Sequence, residues 1–383
     1  MRKTTEAALV LAVLIAGCGG EGEAVPPPQA PPPPLATVAP PPPAPEPPPA
    51  PPEPPKPSML DLQKQAAQNT LAAISAHDAK KFSDSFTADA TLTVYGMGEV
   101  KGREAIEGDM KKFFDAFPDF KLGVSRLYVK DDVLVNEWVM NGTHKGEFMG
   151  IKPTNKPVGV RGVSVIWVSA EGLTKQEHRY FDGNTLLTQL GQGKGQVRPV
   201  PALPGSEPEW HVSKGNADEA KHIELAKGMY GSFDKKSETD FLGVLDDKLT
   251  WSDQSAPKDM TGKADAKKFF QMFTKAFTDM KTTTDPIIAV DDYVVVETTT
   301  SATHSGNLGP FKATKKPVVL HGVDIMMFKD GKVAQGTSYV NALELPAQEG
   351  LLKPKGDAAA KSGDKSKAEP KPKADAKGDK EKK

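Results

Sequence analysis

Thr143-His144-Lys145-Gly146, with Thr154-Asn155-Lys156-Pro157-Val158 and Gly162-Val163 downstream, returns 160 residues later as Thr303-His304-Ser305-Gly306, Thr314-Lys315-Lys316-Pro317-Val318 and Gly322-Val323. The same offset holds upstream. Gly102, Phe113, Phe117, Asp119 and Lys121 return as Gly262, Phe273, Phe277, Asp279 and Lys281, and Asp131, Asp132, Val135 and Glu137 as Asp291, Asp292, Val295 and Glu297. One offset kept without a gap over about 60 residues identifies a duplication, and a period of that size belongs to a domain rather than to a solenoid repeat. The chain therefore reads as two tandem copies, 59–190 and 216–346, joined by a Gly-, Pro- and Gln-punctuated linker at 191–215. The run Gly191-Gln192-Gly193-Lys194-Gly195 in that linker lacks the following Ser/Thr and the strand-to-helix frame of a phosphate loop.

Each copy has the same internal order. Leu62, Ala66, Leu71 and Ile74 form an apolar stripe on a long opening helix, as Ile223, Ala226 and Tyr230 do in the second copy. A short strand follows (91–95; 249–251), then a helix ending in Phe113-Phe114 and Phe117, or in Phe269-Phe270, Phe273 and Phe277. Four β-rich segments complete the copy, near 120–130, 132–145, 158–169 and 174–182, with counterparts near 281–290, 292–305, 318–328 and 332–340. Helices followed by a curling, mostly antiparallel sheet predict an α+β domain whose helices cover one sheet face.

The ends have a different composition. Of 35 prolines in the 383-residue chain, 20 lie between Pro26 and Pro57. This tract, within a linker at 18–58, reads as a polyproline II spacer that reaches on the order of 100 Å at roughly 3.1 Å per residue. Residues 1–17 read as an export signal, with Arg2 and Lys3 ahead of an apolar run too short to span a bilayer. Leu14-Ile15-Ala16-Gly17-Cys18 resembles the bacterial lipobox, which makes Cys18 the expected lipidation site and the membrane the expected partner. Gly19 after it leans towards the outer membrane by analogy with known sorting rules. The tail at 347–383 carries 11 Lys against 6 acidic residues from Lys353 onward and has no apolar periodicity, so it is expected to be disordered and able to touch an anionic envelope polymer. Because the whole chain has a formal charge of −1, this basic tail leaves an acidic body. That balance gives no electrostatic case for nucleic acid, and a single cysteine excludes an intrachain disulfide or a Cys-based zinc site. No cofactor or metal motif is present.

Phe117-Pro118-Asp119-Phe120, then Gly142 through Thr154, Arg161-Gly162-Val163 and Gln189-Leu190-Gly191 together resemble the SnoaL-like polyketide cyclase family, its ester-cyclase branch in particular. The second copy keeps Phe277-Thr278-Asp279, Thr303-His304-Ser305-Gly306, Gly322-Val323-Asp324 and Asp330-Gly331-Lys332-Val333. The resemblance implies two cone-shaped α+β barrels of the nuclear-transport-factor-2-like superfamily, each with an internal pocket. It also implies pairing through the sheets, here between the two copies of one chain. In the cyclases an aspartate on the last strand is the acid/base, assisted by a residue two positions after the Arg-Gly pair. Carried over, the aspartate position holds Arg179 in the first copy and Ser338 in the second, and the assisting position holds Ser164 and Asp324.

His144 and Asp182 are the expected catalytic pair if the first copy is an enzyme. His144 falls by alternation on one strand face with Asn136, Trp138 and Met140, and a histidine titrates near neutrality. His178, Tyr180 and Asp182 alternate along one face of the last strand. The expected ligand-binding residues are Trp138, Ser164, His178, Arg179, Tyr180, His304, Asp324 and Ser338. Loss of the acid/base aspartate from both copies favours binding of a small apolar or amphipathic molecule, or of a protein partner, without turnover. The alternatives are an ester-cyclase-like enzyme in the first copy, and an assembly protein with filled pockets.

Overall fold

Ser58 starts the first domain. Its side chain accepts from the Asp61 backbone N–H at 3.2 Å while the Asp61 carboxylate accepts from the Ser58 N–H at 3.1 Å, a reciprocal capping box that opens α1 (Met59–Ser75). The computed structural model describes residues 56–352; the segment expected to be an export signal, Cys18, most of the proline-rich tract and the lysine-rich tail from Lys353 lie outside the described residues. After α1 come α2 (Ala79–Asp84), β1 (Phe86–Val94), β2 (Gly98–Lys101), α3 (Arg103–Ala116), β3 (Lys121–Lys130), β4 (Val133–Thr143), β5 (Pro157–Val168), β6 (Thr174–Phe181) and α4 (Gly183–Gln189). The connection contributes β7 (Glu209–Val212). The second domain repeats the order as α5 (Ala217–Lys235), α6 (Glu238–Gly243), β8 (Leu245–Asp253), β9 (Met260–Thr261), α7 (Gly262–Ala276), β10 (Phe277–Val290), β11 (Tyr293–His304), β12 (Pro317–Lys329), β13 (Lys332–Val340) and α8 (Glu344–Gln348).

The first sheet runs β2-β1-β6-β5-β4-β3-β7 and the second β10-β11-β12-β13-β8-β9. Pairing is antiparallel except at β1–β6, β3–β7 and β13–β8. Both domains are therefore mixed α+β units with a curved sheet and helices on one face. The four long strands of each copy fall where the β-rich segments predict them. The short helices were not legible, because five to seven residues hold too little of the 3.6-residue period. Their starts are fixed by caps instead, Asp78 for α2, Ser237 for α6 and Asp182 for α4.

Strand alternation gives each sheet two apolar faces. On β5, Ser164 and Ile166 turn towards the helices, whereas Val163 and Val165 turn away. The outward residues of both domains, among them Tyr128, Val135, Val163 and Tyr180 with Val295, Val323, Ile325 and Tyr339, form one shared core. The contact is reciprocal, as a two-fold relation requires. Tyr339 donates to Glu137 of the first domain at 2.7 Å, and Tyr180 donates to Glu297 of the second. Likewise Gly183 N–H donates to Asn341 Oδ1 at 3.2 Å and Ala342 N–H to Asp182 Oδ1 at 3.0 Å.

Candidate functional site: two lined cavities

Between the helices and the inner sheet face each domain encloses a cavity, about 370 Å³ in the first and about 360 Å³ in the second. Volumes of that size suit a small organic ligand. Exposed Met149 and Met272 lie among the respective lining residues, so both cavities reach the surface. The walls are mainly Leu, Val, Phe and Met with a few polar groups.

In the first cavity Trp138 on β4 donates its indole N–H to Ser164 Oγ on β5 at 3.1 Å. The indole lies flat over Gly162, where an added Cβ would come within 2.2 Å of the ring, so glycine is required there by close approach. Arg179 on β6 faces the same space and is held by Glu177, two residues away on the same strand face, at 2.7 and 3.0 Å. Asn136 Oδ1 is a buried acceptor without a hydrogen-bond partner on this wall.

The second cavity is built differently on the same frame. Its indole comes from Trp251 on β8 and lies over Gly336, again with a hypothetical Cβ 2.2 Å from the ring. Trp251 donates to Ser338 Oγ at 2.7 Å, Ser338 donates to Asp324 Oδ1, and Tyr230 on α5 donates to Asp324 Oδ2 at 2.7 Å. Asp324 is half-buried and lies on the cavity wall. Burial pushes its carboxyl up to about 6, with the charge of nearby Asp253 acting in the same direction against the two hydrogen bonds.

Among the residues singled out from sequence, Trp138, Ser164 and Arg179 line the first cavity and Asp324 and Ser338 the second. The others lie elsewhere. His144 is fully buried and is not on the cavity wall, because β4 ends at Thr143 and alternation stops before reaching it. Its ring packs against Phe117 and Phe148, and its Nδ1 accepts from Thr154 N–H at 3.2 Å. Burial lowers its pKa, which favours the neutral ring. His304 is equally buried, with Nδ1 2.6 Å from Glu349 Oε1. The repeated Thr-His-x-Gly motif is thus a structural tie: Lys145 and Gly146 N–H both donate to Ala116 O at the end of α3, and Ser305 and Gly306 do the same to Ala276 O at the end of α7. A Cβ on Gly146 or Gly306 would fall 2.3 Å from a carbonyl oxygen of that helix end.

Asp182 is not a cavity acid either. It lies just past the end of β6, where its carboxylate caps α4 through Thr185 N–H at 2.8 Å and bonds across to the second domain. Burial raises its pKa despite those bonds. His178 and Tyr180 are on the opposite face of β6 from Arg179 and meet Glu297 of the second domain, with His178 Nδ1 2.6 Å from Glu297 Oε1. Sequence reading missed Tyr230 and Trp251 as wall residues. A glycine inside a strand at position 336 was the available signal for the indole. Among the described residues no group of three or more His, Cys, Asp or Glu side chains is placed to hold a metal ion.

A family model described as SnoaL-like polyketide cyclase matches residues 64–190 and 224–349, more than half of the chain. The chain belongs to the SnoaL-like polyketide cyclase family. It carries the SnoaL-like domain twice, and each copy supplies its own cavity, which supports a ligand-binding or cyclase role. Similar solved structures include AclR from Streptomyces galilaeus, with 24% identity, 35% of this chain and 99% of that chain covered and a TM-score of 0.33. IdmH from Streptomyces antibioticus shares 23% identity over 34% of this chain and 98% of its own, with a TM-score of 0.31. A SnoaL-like protein from Jannaschia Sp. CCS1 shares 18% identity over 35% and 96%, with a TM-score of 0.31. No curated protein matches the chain.

Proposed function

We propose that the chain is a lipid-anchored envelope protein whose two SnoaL-like domains bind small apolar or amphipathic molecules without turning them over. The observation that carries this reading is the pair of apolar-walled cavities, one per domain. Arg179 and Ser338 stand where the family resemblance puts the acid/base aspartate, and neither transfers a proton as a carboxylate does. Unfilled cavities argue against a purely scaffolding role. A second reading, acid–base chemistry of the cyclase or isomerase kind, is favoured by one observation: the second cavity has a carboxyl, Asp324, on its wall. The first cavity no longer supports that chemistry through His144 and Asp182, since neither reaches it.

Calorimetric titration with naphthylmethanol, a neutral fused-ring probe, tests the binding reading. Two molecules per chain are expected, falling to one in Ala67→Phe, which fills the first cavity from α1. No binding, or a count unchanged by the filled cavity, rejects it. The anchor at Cys18 has its own test. Cys18→Ser is expected to move the protein from the membrane fraction to the soluble envelope fraction, and a variant that still sediments with membranes removes the lipid anchor from the proposal.

A further inference from the structure

The two cavities differ in charge. Arg179 on the wall of the first is paired with Glu177, and the other acids that line that cavity, Glu99 and Asp109, are exposed to solvent. The second is lined by Asp253, Asp324 and Glu344, and no Lys or Arg is among its lining residues. Two of these acids already have local partners. Glu344 accepts from His321 N–H at 2.9 Å and lies 2.5 Å from His321 Nδ1, and Asp253 accepts from Ser255 N–H and Oγ at 2.8 and 2.7 Å. The Arg198 guanidinium next to Asp253 bonds to its backbone carbonyl, at 2.8 Å, and pairs with Asp259.

Asp324 is different. Both oxygens receive hydrogen bonds from neutral hydroxyls, Tyr230 and Ser338, and no cationic side chain pairs with it. Aromatic side chains, Trp251, Phe233, Phe269, Phe273 and Phe311, line the same cavity. A carboxylate without a counter-cation in an aromatic-walled space has the two elements that recognise an ammonium: a partner for a charge-assisted hydrogen bond and ring faces with negative quadrupole. The elevated carboxyl is consistent with a missing positive charge.

We propose that the second cavity takes an apolar amine, a protonated ammonium on a hydrocarbon body of one or two rings, with Asp324 as its ion-pair partner. The proposal rests on the reading of the cavities as ligand sites and names the ligand class for one of them. The carboxylates of Asp253 and Glu344 line the same cavity, so an anionic ligand of the same shape is repelled.

The test compares naphthylmethylamine, naphthylmethanol and naphthoate by calorimetry at pH 7.5, using the full chain with the first cavity filled by Ala67→Phe. The amine is expected to bind at least about ten-fold tighter than the alcohol, the size of one hydrogen bond to a charged group, and naphthoate weakest. In Asp324→Asn the ratio of amine to alcohol affinity is expected to fall to about one. Equal binding of amine and alcohol, or a ratio that survives Asp324→Asn, overturns the ammonium assignment and leaves the cavity reading standing. If none of the three binds, both fall. Should Asp324→Asn fold poorly, the amine-to-alcohol ratio of the native residue decides alone.

Discussion

Glu137→Ala is expected to destabilise the chain by about 3–5 kcal/mol, the cost of removing one partner from a buried ionic cluster. Glu137 is 5% exposed and sits between the two domains. Its Oε2 accepts from Tyr128 at 2.8 Å and from Arg126 at 3.0 Å, and its Oε1 accepts from Tyr339 of the second domain at 2.7 Å. Removing the carboxylate leaves two buried hydroxyls without an acceptor, each costing about 1–3 kcal/mol, and leaves the partly exposed Arg126 guanidinium with Glu209, 3.6 Å away, as its remaining counter-ion. Burial, with the Glu137 charge beside it, pushes the Tyr339 hydroxyl well above its ordinary range, so it stays a donor at any physiological pH. Urea unfolding of Glu137→Ala, Tyr339→Phe and the double variant measures the coupling. A sum of single effects that equals the double, with Glu137→Ala costing under about 1 kcal/mol, would show that the apolar residues alone hold the domains together.

The domain-level plan was readable because the duplication prints each element twice. The four long strands of each copy lie within a few residues of their expected places, since period-two alternation and paired Asp turns are local signals, whereas β1 begins five residues earlier than expected and the short β2, β7 and β9 were not expected. The cavity walls were only half readable. Gln176-Glu177-His178-Arg179-Tyr180 lies on one strand, and alternation divides it cleanly into two sets. Which set faces the helices depends on what covers the other face, and that cover is the second domain. Both faces are apolar, so composition could not choose between them. The Thr-His-x-Gly motif misled for a related reason. Two copies keep it because a turn must approach a helix end within van der Waals contact, a constraint as exacting as chemistry.

The copies have also diverged where the frame allows it. The first domain lays Trp138 from β4 over Gly162, and the second lays Trp251 from β8 over Gly336, so the indole has crossed from one wall to the other while still donating to a serine. At the cross-strand pair Ser164–Arg179 the second domain has Asp324–Ser338. The Glu177–Arg179 ion pair is thereby replaced by glycine and serine, and a carboxyl without a cationic partner, Asp324, enters the cavity. One frame thus carries two sites of different charge, and neither repeat is a spare copy of the other.

Asp324→Asn is expected to make the unliganded chain more stable at pH 7.5 and to leave it indistinguishable from the native chain near pH 4. The folded-state carboxyl titrates at about 6, above the ordinary 3.8 of an exposed aspartate. Between those values the unfolded chain has released its proton and the folded chain still holds it. The stability that Asp324 contributes is therefore greatest below the lower value, falls as pH rises through the window, and is absent above it. The full effect is at most about 3 kcal/mol, and water in the cavity screens part of it, leaving on the order of 1–2 kcal/mol. Asparagine remains neutral throughout; its amide can accept from Tyr230 and donate to Ser338, so it keeps the hydrogen bonds without the charge. Urea unfolding of both proteins at the two pH values measures the difference. A variant less stable by the same margin at both would mean that the carboxylate's hydrogen bonds outweigh the cost of burying it. Saturating naphthylmethylamine is expected to reverse the order at pH 7.5, because a bound ammonium stabilises the native carboxylate and finds no charge in the variant.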